Sequence, residues 1–171
     1  MAGFSTLITA LALAQAPTML ADLAVACNDP AKLEQTKQNL LNKGWAAASD
    51  EKQAKFNAEL TAMIHPDDSL KAWVTVFEKS DNPKLLLLLS NEREANGFWM
   101  RSCSLRDPEN VALNNLQSVR SAFALGQSDE KDVGPAYTWE LWDAKLTYML
   151  YLDPTANGGT ALIVQRYGRD N

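Results

Sequence analysis

The sequence predicts an α+β domain in which an antiparallel sheet of five or six strands carries helices mainly on one face. Segments with helical spacing of apolar residues occupy the first third, and strand-like apolar segments separated by turn residues make up most of the remainder. Hydrophobic residues form 46% and charged residues 22% of the 171-residue chain, close to the average of soluble globular proteins. We therefore expect one domain, comprising residues 15–171.

The first helical region is delimited by its capping residues. Residues 18–26 form a short apolar segment of good helix formers, and Asp29-Pro30 then has the pattern of an N-cap followed by a first-turn proline. This pattern predicts a helix from about Pro30 to Lys43, and Gly44 occupies the position typical of a C-cap glycine. We expect two helical pieces in this region.

Another helix is predicted from residue 49 onward. Asp50 opens it, and Gln53 follows three residues later in a capping-box arrangement. Apolar residues recur at helical spacing until Pro66 stops the helix: Phe56, Leu60, Met63 and Ile64.

The middle of the chain predicts strands. Residues 71–78 fit a strand by composition and a helix by spacing, and we favour the strand. Residues 84–90 contain a continuous leucine run, and residues 97–105 are rich in aromatic and apolar side chains, with polar residues 91–96 between them. These two segments predict a hairpin.

The last third repeats this order of elements. Asp107-Pro108 has the same capping pattern as the earlier helix and predicts a helix that ends at Gly126. Three strands are predicted after it, at residues 137–142, 145–152 and 160–167. Helix, strand and hairpin thus occur in residues 50–105 and again in residues 108–167, without similarity at the level of single residues.

The N-terminal segment has the composition of a secretory signal peptide. Its sequence, MAGFSTLITALALAQA, contains no charged side chain, and its apolar stretch is too short to span a bilayer. Ala12-Leu13-Ala14 supplies the small-x-small pattern of a cleavage site, so residues 1–14 are predicted to be removed on export. A retained N-terminal helix and a lipoprotein-type cleavage before Cys27 are the alternatives.

The chain contains two cysteines, Cys27 and Cys103. In an exported protein they are expected to form one disulfide bond, which an oxidising compartment keeps closed. The bond would close a loop of about 75 residues and contribute roughly 4 to 5 kcal/mol on the chain-entropy model. If the chain is not exported, we expect two buried thiols, because the spacing fits neither a redox motif nor a zinc site.

Few residues offer catalytic chemistry. His65 is the only histidine and lies at a predicted helix end, where it favours a capping role. The acidic groups, such as Asp67-Asp68 and Glu92 with Glu94, follow no metal-binding spacing. We therefore expect no catalytic residue, no metal and no cofactor.

The charge distribution bears on the partners of the protein. The net charge is −5, and basic residues do not cluster into a stripe that could follow a phosphate backbone. We expect no nucleic-acid partner and no stable membrane insertion of the mature chain.

Aromatic residues on the predicted strands provide the candidate binding surface. Strand alternation places Phe98 and Met100 on one face and Cys103 on the other. If the disulfide bond directs Cys103 toward the helices, Phe98 and Met100 point away from them. On a later strand, the alternation separates Trp142, with Thr138 and Glu140, from the apolar residues Tyr137, Trp139 and Leu141. We predict that Phe98, Met100 and Trp142 form a binding patch, unless helices of the first third cover that face.

No motif in the sequence indicates a known family. The leading hypothesis is an exported, non-enzymatic binding or interaction module, periplasmic or secreted, which includes an inhibitor-like role. Its expected partner is a protein, a small apolar ligand or a second copy of the chain in a homodimer. The alternative is a small hydrolase that uses acidic residues or a free Cys103. A compact pocket with converging carboxylates of raised pKa would favour the enzyme, and a flat aromatic patch would favour binding.

Overall fold

The computed structural model describes residues 19–63, 70–108, 116–125, 130–133, 136–142, 147–153 and 160–170. The described part contains four helices: α1 (residues 19–26), α2 (Leu33–Asn42), α3 (Asp50–Met63) and α4 (Leu116–Phe123). Its eight strands are β1 (Trp45–Ala47), β2 (Lys71–Lys79), β3 (Asn82–Arg93), β4 (Phe98–Asp107), β5 (Glu130–Val133), β6 (Ala136–Trp142), β7 (Thr147–Asp153) and β8 (Thr160–Arg169). The predicted signal peptide and His65 lie outside the described residues.

The eight strands form one sheet in the order β1-β2-β3-β4-β8-β7-β6-β5, and every neighbouring pair is antiparallel. The α+β class with an antiparallel sheet is therefore confirmed. The six longer strands correspond to the six predicted segments, including the ambiguous one at residues 71–78. The sequence does not predict β1 and β5 at the two edges, because three and four residues are too few to show a strand pattern.

The main hydrophobic core lies between one face of the sheet and helices α1, α2 and α4. Alternate residues of β3 and β4 point into it, among them Leu87, Leu89 and Leu105. The helices contribute Leu20, Leu23, Leu40 and Val119, each of which is at most 2% exposed. We call this side of the sheet the core face and the other side the open face.

Helix α3 packs against the open face, above the end of the sheet that contains β2. Phe56 and Leu60 contact a second, smaller core cluster formed by Val74, Val76 and Leu88. The helices thus lie mainly on one face, as predicted, and α3 covers a part of the other.

Side chains of α3 also complete the hydrogen bonding of β2 where β1 ends. The Val76 N–H donates to Gln53 Oε1 at 2.8 Å, and the Val74 N–H donates to Asn57 Oδ1 at 2.9 Å. Asn57 Nδ2 in turn donates to the Val74 carbonyl at 3.1 Å. The capping-box role predicted for Gln53 is therefore wrong, because its amide takes the place of a missing strand partner.

Helix α2 begins at Leu33, later than the Asp29-Pro30 pattern predicts. Residues 29–32 form a turn instead, in which the Lys32 N–H donates to the Asp29 carbonyl at 3.0 Å. The end of the helix agrees with the sequence: Gly44 has a φ of 78°, in the left-handed region that a C-cap glycine adopts.

Candidate functional site

Cys27 and Cys103 form a disulfide bond, with their Cα atoms 5.9 Å apart. Cys27 follows α1, Cys103 lies within β4, and both side chains are buried. The predicted pairing is confirmed, and it is consistent with an oxidising compartment. Because Cys103 is not a free thiol, the hydrolase alternative loses its cysteine nucleophile.

A groove of about 270 Å³ lies on the open face, between α3 and strands β2, β3, β4 and β8. Phe56 and Leu60 form its wall on the α3 side, and Val74, Leu88 and Ile163 add apolar surface from the sheet. Polar side chains line the rest: Glu59, Ser90, Glu92, Ser102, Ser104, Arg106 and Gln165. We call this feature the α3 groove.

The strand register explains the hydroxyl groups on the floor of the groove. Ser102 of β4 pairs with Ser90 of β3 on one side and with Gln165 of β8 on the other, so three polar residues form one row across the sheet. The Oγ atoms of Ser90 and Ser102 are 2.6 Å apart and share a hydrogen bond. Small side chains in this row leave space above the sheet that larger apolar side chains would fill.

Glu92 lies at one end of the groove, opposite Met100 in the register of β3 and β4. Burial raises the pKa of the Glu92 carboxyl above its usual value, because the charged form loses solvation. Among the described residues, no cation forms an ion pair with it. A partly desolvated carboxyl in a cleft is a candidate for ligand recognition.

Arg106 lies at the opposite end, with its guanidinium carbon 5.4 Å from the centre of the Phe56 ring. Contact with an aromatic face holds the guanidinium against α3 and leaves its edge N–H groups able to donate hydrogen bonds. Glu59 is exposed on the same wall and forms no ion pair with Arg106 in the described structure. The groove therefore has a carboxylate at one end and a guanidinium at the other.

The structure places Phe98 and Met100 beyond the Glu92 end of the groove. Both side chains are half-buried, and the Phe98 ring lies 6.1 Å from the Tyr167 ring, between centroids. We call Phe98, Met100 and Tyr167 the apolar cluster. Trp142 occupies the same register row as Met100, but three strands away, or roughly 14 Å at about 4.8 Å per strand. The side chain of Trp142 lies outside the described part of the chain, and the binding role of all three predicted residues stays a prediction.

The sequence does not single out Arg106 or the serine residues as part of a site. One signal points to them: Ser90, Ser102 and Ser104 alternate with apolar residues on strands that are otherwise hydrophobic. The position of α3 cannot be obtained from that pattern, because a helix with an apolar stripe can pack on either face of a sheet.

A second, wider depression of about 560 Å³ lies at one end of the core face, where Trp73 is 47% exposed. Its Arg101 is engaged within the protein: Nε donates to Asn91 Oδ1 at 3.0 Å, and Nη1 donates to the Ala31 carbonyl. The same guanidinium lies 4.9 Å from the centre of the Trp99 ring. Because these polar contacts are already made, this depression is a weaker candidate than the α3 groove.

The described residues contain neither a metal-binding cluster nor a helix that could span a membrane. No group of three or more His, Cys, Asp or Glu side chains in the described residues is placed to hold a metal ion. None of the described helices combines the length and apolar character needed to cross a membrane. No protein-family model, curated protein or solved structure matches the chain. The functional conclusion therefore rests on the geometry of the groove.

Proposed function

We propose that this protein is an exported binding module that holds a small ligand in the α3 groove. The observation that carries the proposal is the groove itself, a half-enclosed volume of about 270 Å³ with an apolar wall, a floor of hydroxyl groups and a charged group at each end. Small-molecule sites in proteins are typically concave and largely apolar, with a few polar groups that orient the ligand.

The alternative of a hydrolase depends on two carboxyl groups. Glu59 and Glu92 both line the groove, and glycosidases use carboxyl pairs about 5 to 9.5 Å apart. The described lining residues include neither a histidine nor a free thiol that could act with Glu92. We therefore favour binding and keep the carboxylate hydrolase as the second candidate.

The apolar cluster extends the proposed binding surface. Met100 is the register partner of Glu92, so Phe98 and Met100 continue the open face directly past that end of the groove. A ligand longer than the groove, a protein segment or a second copy of the chain would contact them. We propose Trp142 as a more distant member of the same surface, since it shares the register row of Met100.

Export is the second part of the proposal. The disulfide bond between Cys27 and Cys103 supports an oxidising compartment, and residues 1–14 fit a cleaved signal peptide. We place the mature protein in the periplasm or outside the cell. The net charge of −5 gives no support to a nucleic-acid partner.

Filling the groove tests the proposed function. Ser104→Phe adds a ring on the floor of the groove, and the control Ala58→Phe adds the same ring on the exposed side of α3. Binding of a library of small fragments is measured by saturation-transfer NMR, and denaturant unfolding verifies that both variants fold. We expect the fragments that bind the wild type and Ala58→Phe to lose most of their signal with Ser104→Phe.

Two results would contradict the proposal. One is fragment binding that is equal in Ser104→Phe and Ala58→Phe, because the ligands would then occupy another surface. The other is a wild-type protein that binds no fragment at millimolar concentration. A substrate that is turned over by the wild type and not by Glu92→Gln would support the hydrolase instead.

A further inference from the structure

We propose that the α3 groove binds a short peptide with free termini, its amino end at Glu92 and its carboxyl end at Arg106. This inference rests on the proposed function and adds the chemical class of the ligand. Three features of the groove carry it: the opposite charges of its ends, the distance between them, and the mixture of apolar and hydrogen-bonding groups along its length.

Neither end charge is neutralised by the described part of the chain. Glu92 has lost part of its solvation without gaining a cation, so the ammonium group of a ligand would stabilise its charged form. Arg106 lies over the Phe56 ring and has no carboxylate partner among the described residues. Its N–H groups match the two oxygens of a carboxylate, which favours a peptide C-terminus at this end.

The distance between the end charges fits a short extended chain. The register partner of Glu92 is Met100, and Arg106 lies further along the same strand, six positions or roughly 20 Å away at about 3.4 Å per residue. An extended tripeptide spans about 10 Å at roughly 3.3 to 3.6 Å per residue. That larger separation is between backbone positions, and we infer that the side chains of Glu92 and Arg106, which both line the groove, reach inward over the remaining distance.

The lining between the two ends suits a peptide better than a plain hydrocarbon chain. Leu60, Leu88 and Ile163 provide a surface for one apolar side chain. Ser102 and Gln165 supply hydroxyl and amide groups, which can exchange hydrogen bonds with peptide groups. An alkyl chain would offer no hydrogen bond to the Gln165 amide and none to Ser102 beyond the one it already shares with Ser90, which lowers affinity.

Ligand analogues test the assignment without altering the protein. Binding of the tripeptide Ala-Leu-Ala is measured by isothermal titration calorimetry, together with its N-acetylated form, its C-terminal amide and 8-aminooctanoate. We expect the free tripeptide to bind best. Blocking either terminus should weaken binding roughly 10- to 100-fold, since charge-assisted hydrogen bonds contribute about 1.5 to 3 kcal/mol. The alkyl amino acid, which has both charges but no peptide group, should bind more weakly than the tripeptide.

Protein variants then assign each terminus to its partner. In Glu92→Gln, N-acetylation of the peptide should no longer change the affinity, while C-terminal amidation should still weaken binding. In Arg106→Gln, C-terminal amidation should no longer change the affinity, while N-acetylation should still weaken binding. Arg106→Lys keeps the charge if Arg106→Gln fails to fold. The matched controls are Glu94→Gln and Arg93→Gln, which remove the same charges outside the groove lining and should behave as the wild type.

The outcomes separate this inference from the proposed function. Suppose that Ser104→Phe abolishes fragment binding, but the tripeptide does not bind or binds with an affinity that neither terminal modification changes. This result would overturn the peptide assignment and leave the proposed binding module intact. Equal or tighter binding of 8-aminooctanoate would also overturn it. If neither fragments nor peptides bind the wild type, both proposals are wrong.

Discussion

Glu92 is placed where its own ionisation opposes folding. Burial raises the pKa of its carboxyl in the folded protein above the usual value of 4.5. Below the unfolded-state pKa both states are protonated and folding bears no cost from this group. As pH rises through the folded-state pKa, the unfolded state ionises more readily, so the free energy of unfolding decreases. Such a cost is common at binding sites, where a ligand can later relieve it.

Replacing Glu92 with Gln should therefore stabilise the protein at neutral pH. We expect the free energy of unfolding at pH 7 to increase by less than about 1 kcal/mol, because the carboxyl keeps part of its solvation, and the difference to disappear below about pH 4. Urea unfolding of the wild type and Glu92→Gln at both pH values measures this. Glu94→Gln, which lies outside the groove lining, is the control. If the variant is equally stable or less stable at pH 7, ionisation of Glu92 does not destabilise the folded protein.

At the level of elements, helix α3 both forms a wall of the groove and completes the hydrogen bonding of strand β2. Phe56 and Leu60 pack on the open face and form the groove wall, while Gln53 and Asn57 bind the backbone of β2. These amides protect an edge that the short β1 leaves without a strand partner, and unprotected edges promote association between chains. The groove therefore depends on hydrogen bonds at the sheet edge as well as on apolar packing.

Removing one edge amide should destabilise β2 locally. Asn57→Ala leaves the Val74 N–H without its acceptor, which should reduce the free energy of unfolding by about 1 to 3 kcal/mol. Amide hydrogen exchange followed by NMR should show faster exchange at Val74, while Leu87 in the sheet interior stays protected. Lys55→Ala, on the exposed side of α3, is the control. Unchanged exchange at Val74 would mean that the amide does not hold the edge.

The elements themselves could largely be predicted from the sequence, but their placement could not. Periodicity and turn residues indicate the six longer strands, and Gly97, with a φ of 84°, belongs to the turn before β4 although the sequence assigns it to the start of that strand. The α4 segment, Leu116–Phe123, falls within the predicted helix, while residues 109–115 lie outside the described part. The groove depends on a long-range choice, namely the face on which α3 packs, and local patterns carry no information about that choice. Gln53 shows the same limit, because its partner lies on β2 and not in its own helix.

At the level of the whole molecule, the chain forms two consecutive meanders. Strands β1 to β4 make one half of the sheet, β5 to β8 make the other, and the last strands of the two halves, β4 and β8, pair in the middle. This order agrees with the repetition expected from the sequence, in which a helix precedes each set of strands. The halves differ in how their helices pack, because α3 lies on the open face and α4 contributes Val119 to the main core. The α3 groove lies next to the junction of the halves, on β2, β3, β4 and β8.

The disulfide bond fixes helix α1 to this junction, since it joins Cys27 after α1 to Cys103 in β4. Leu20 and Leu23 of α1 are buried in the main core. We expect α1 to stay docked only while the free energy from its packing and from the disulfide bond together exceeds the conformational-entropy cost of holding the helix in place. We expect the Cys27→Ala, Cys103→Ala double variant to lose about 2 to 5 kcal/mol of unfolding free energy in urea. Treatment with a reducing agent should lower the wild type to a similar value and leave the double variant unchanged, which controls for effects of the reductant. Equal stability of the oxidised wild type and the double variant would show that the fold does not depend on this link.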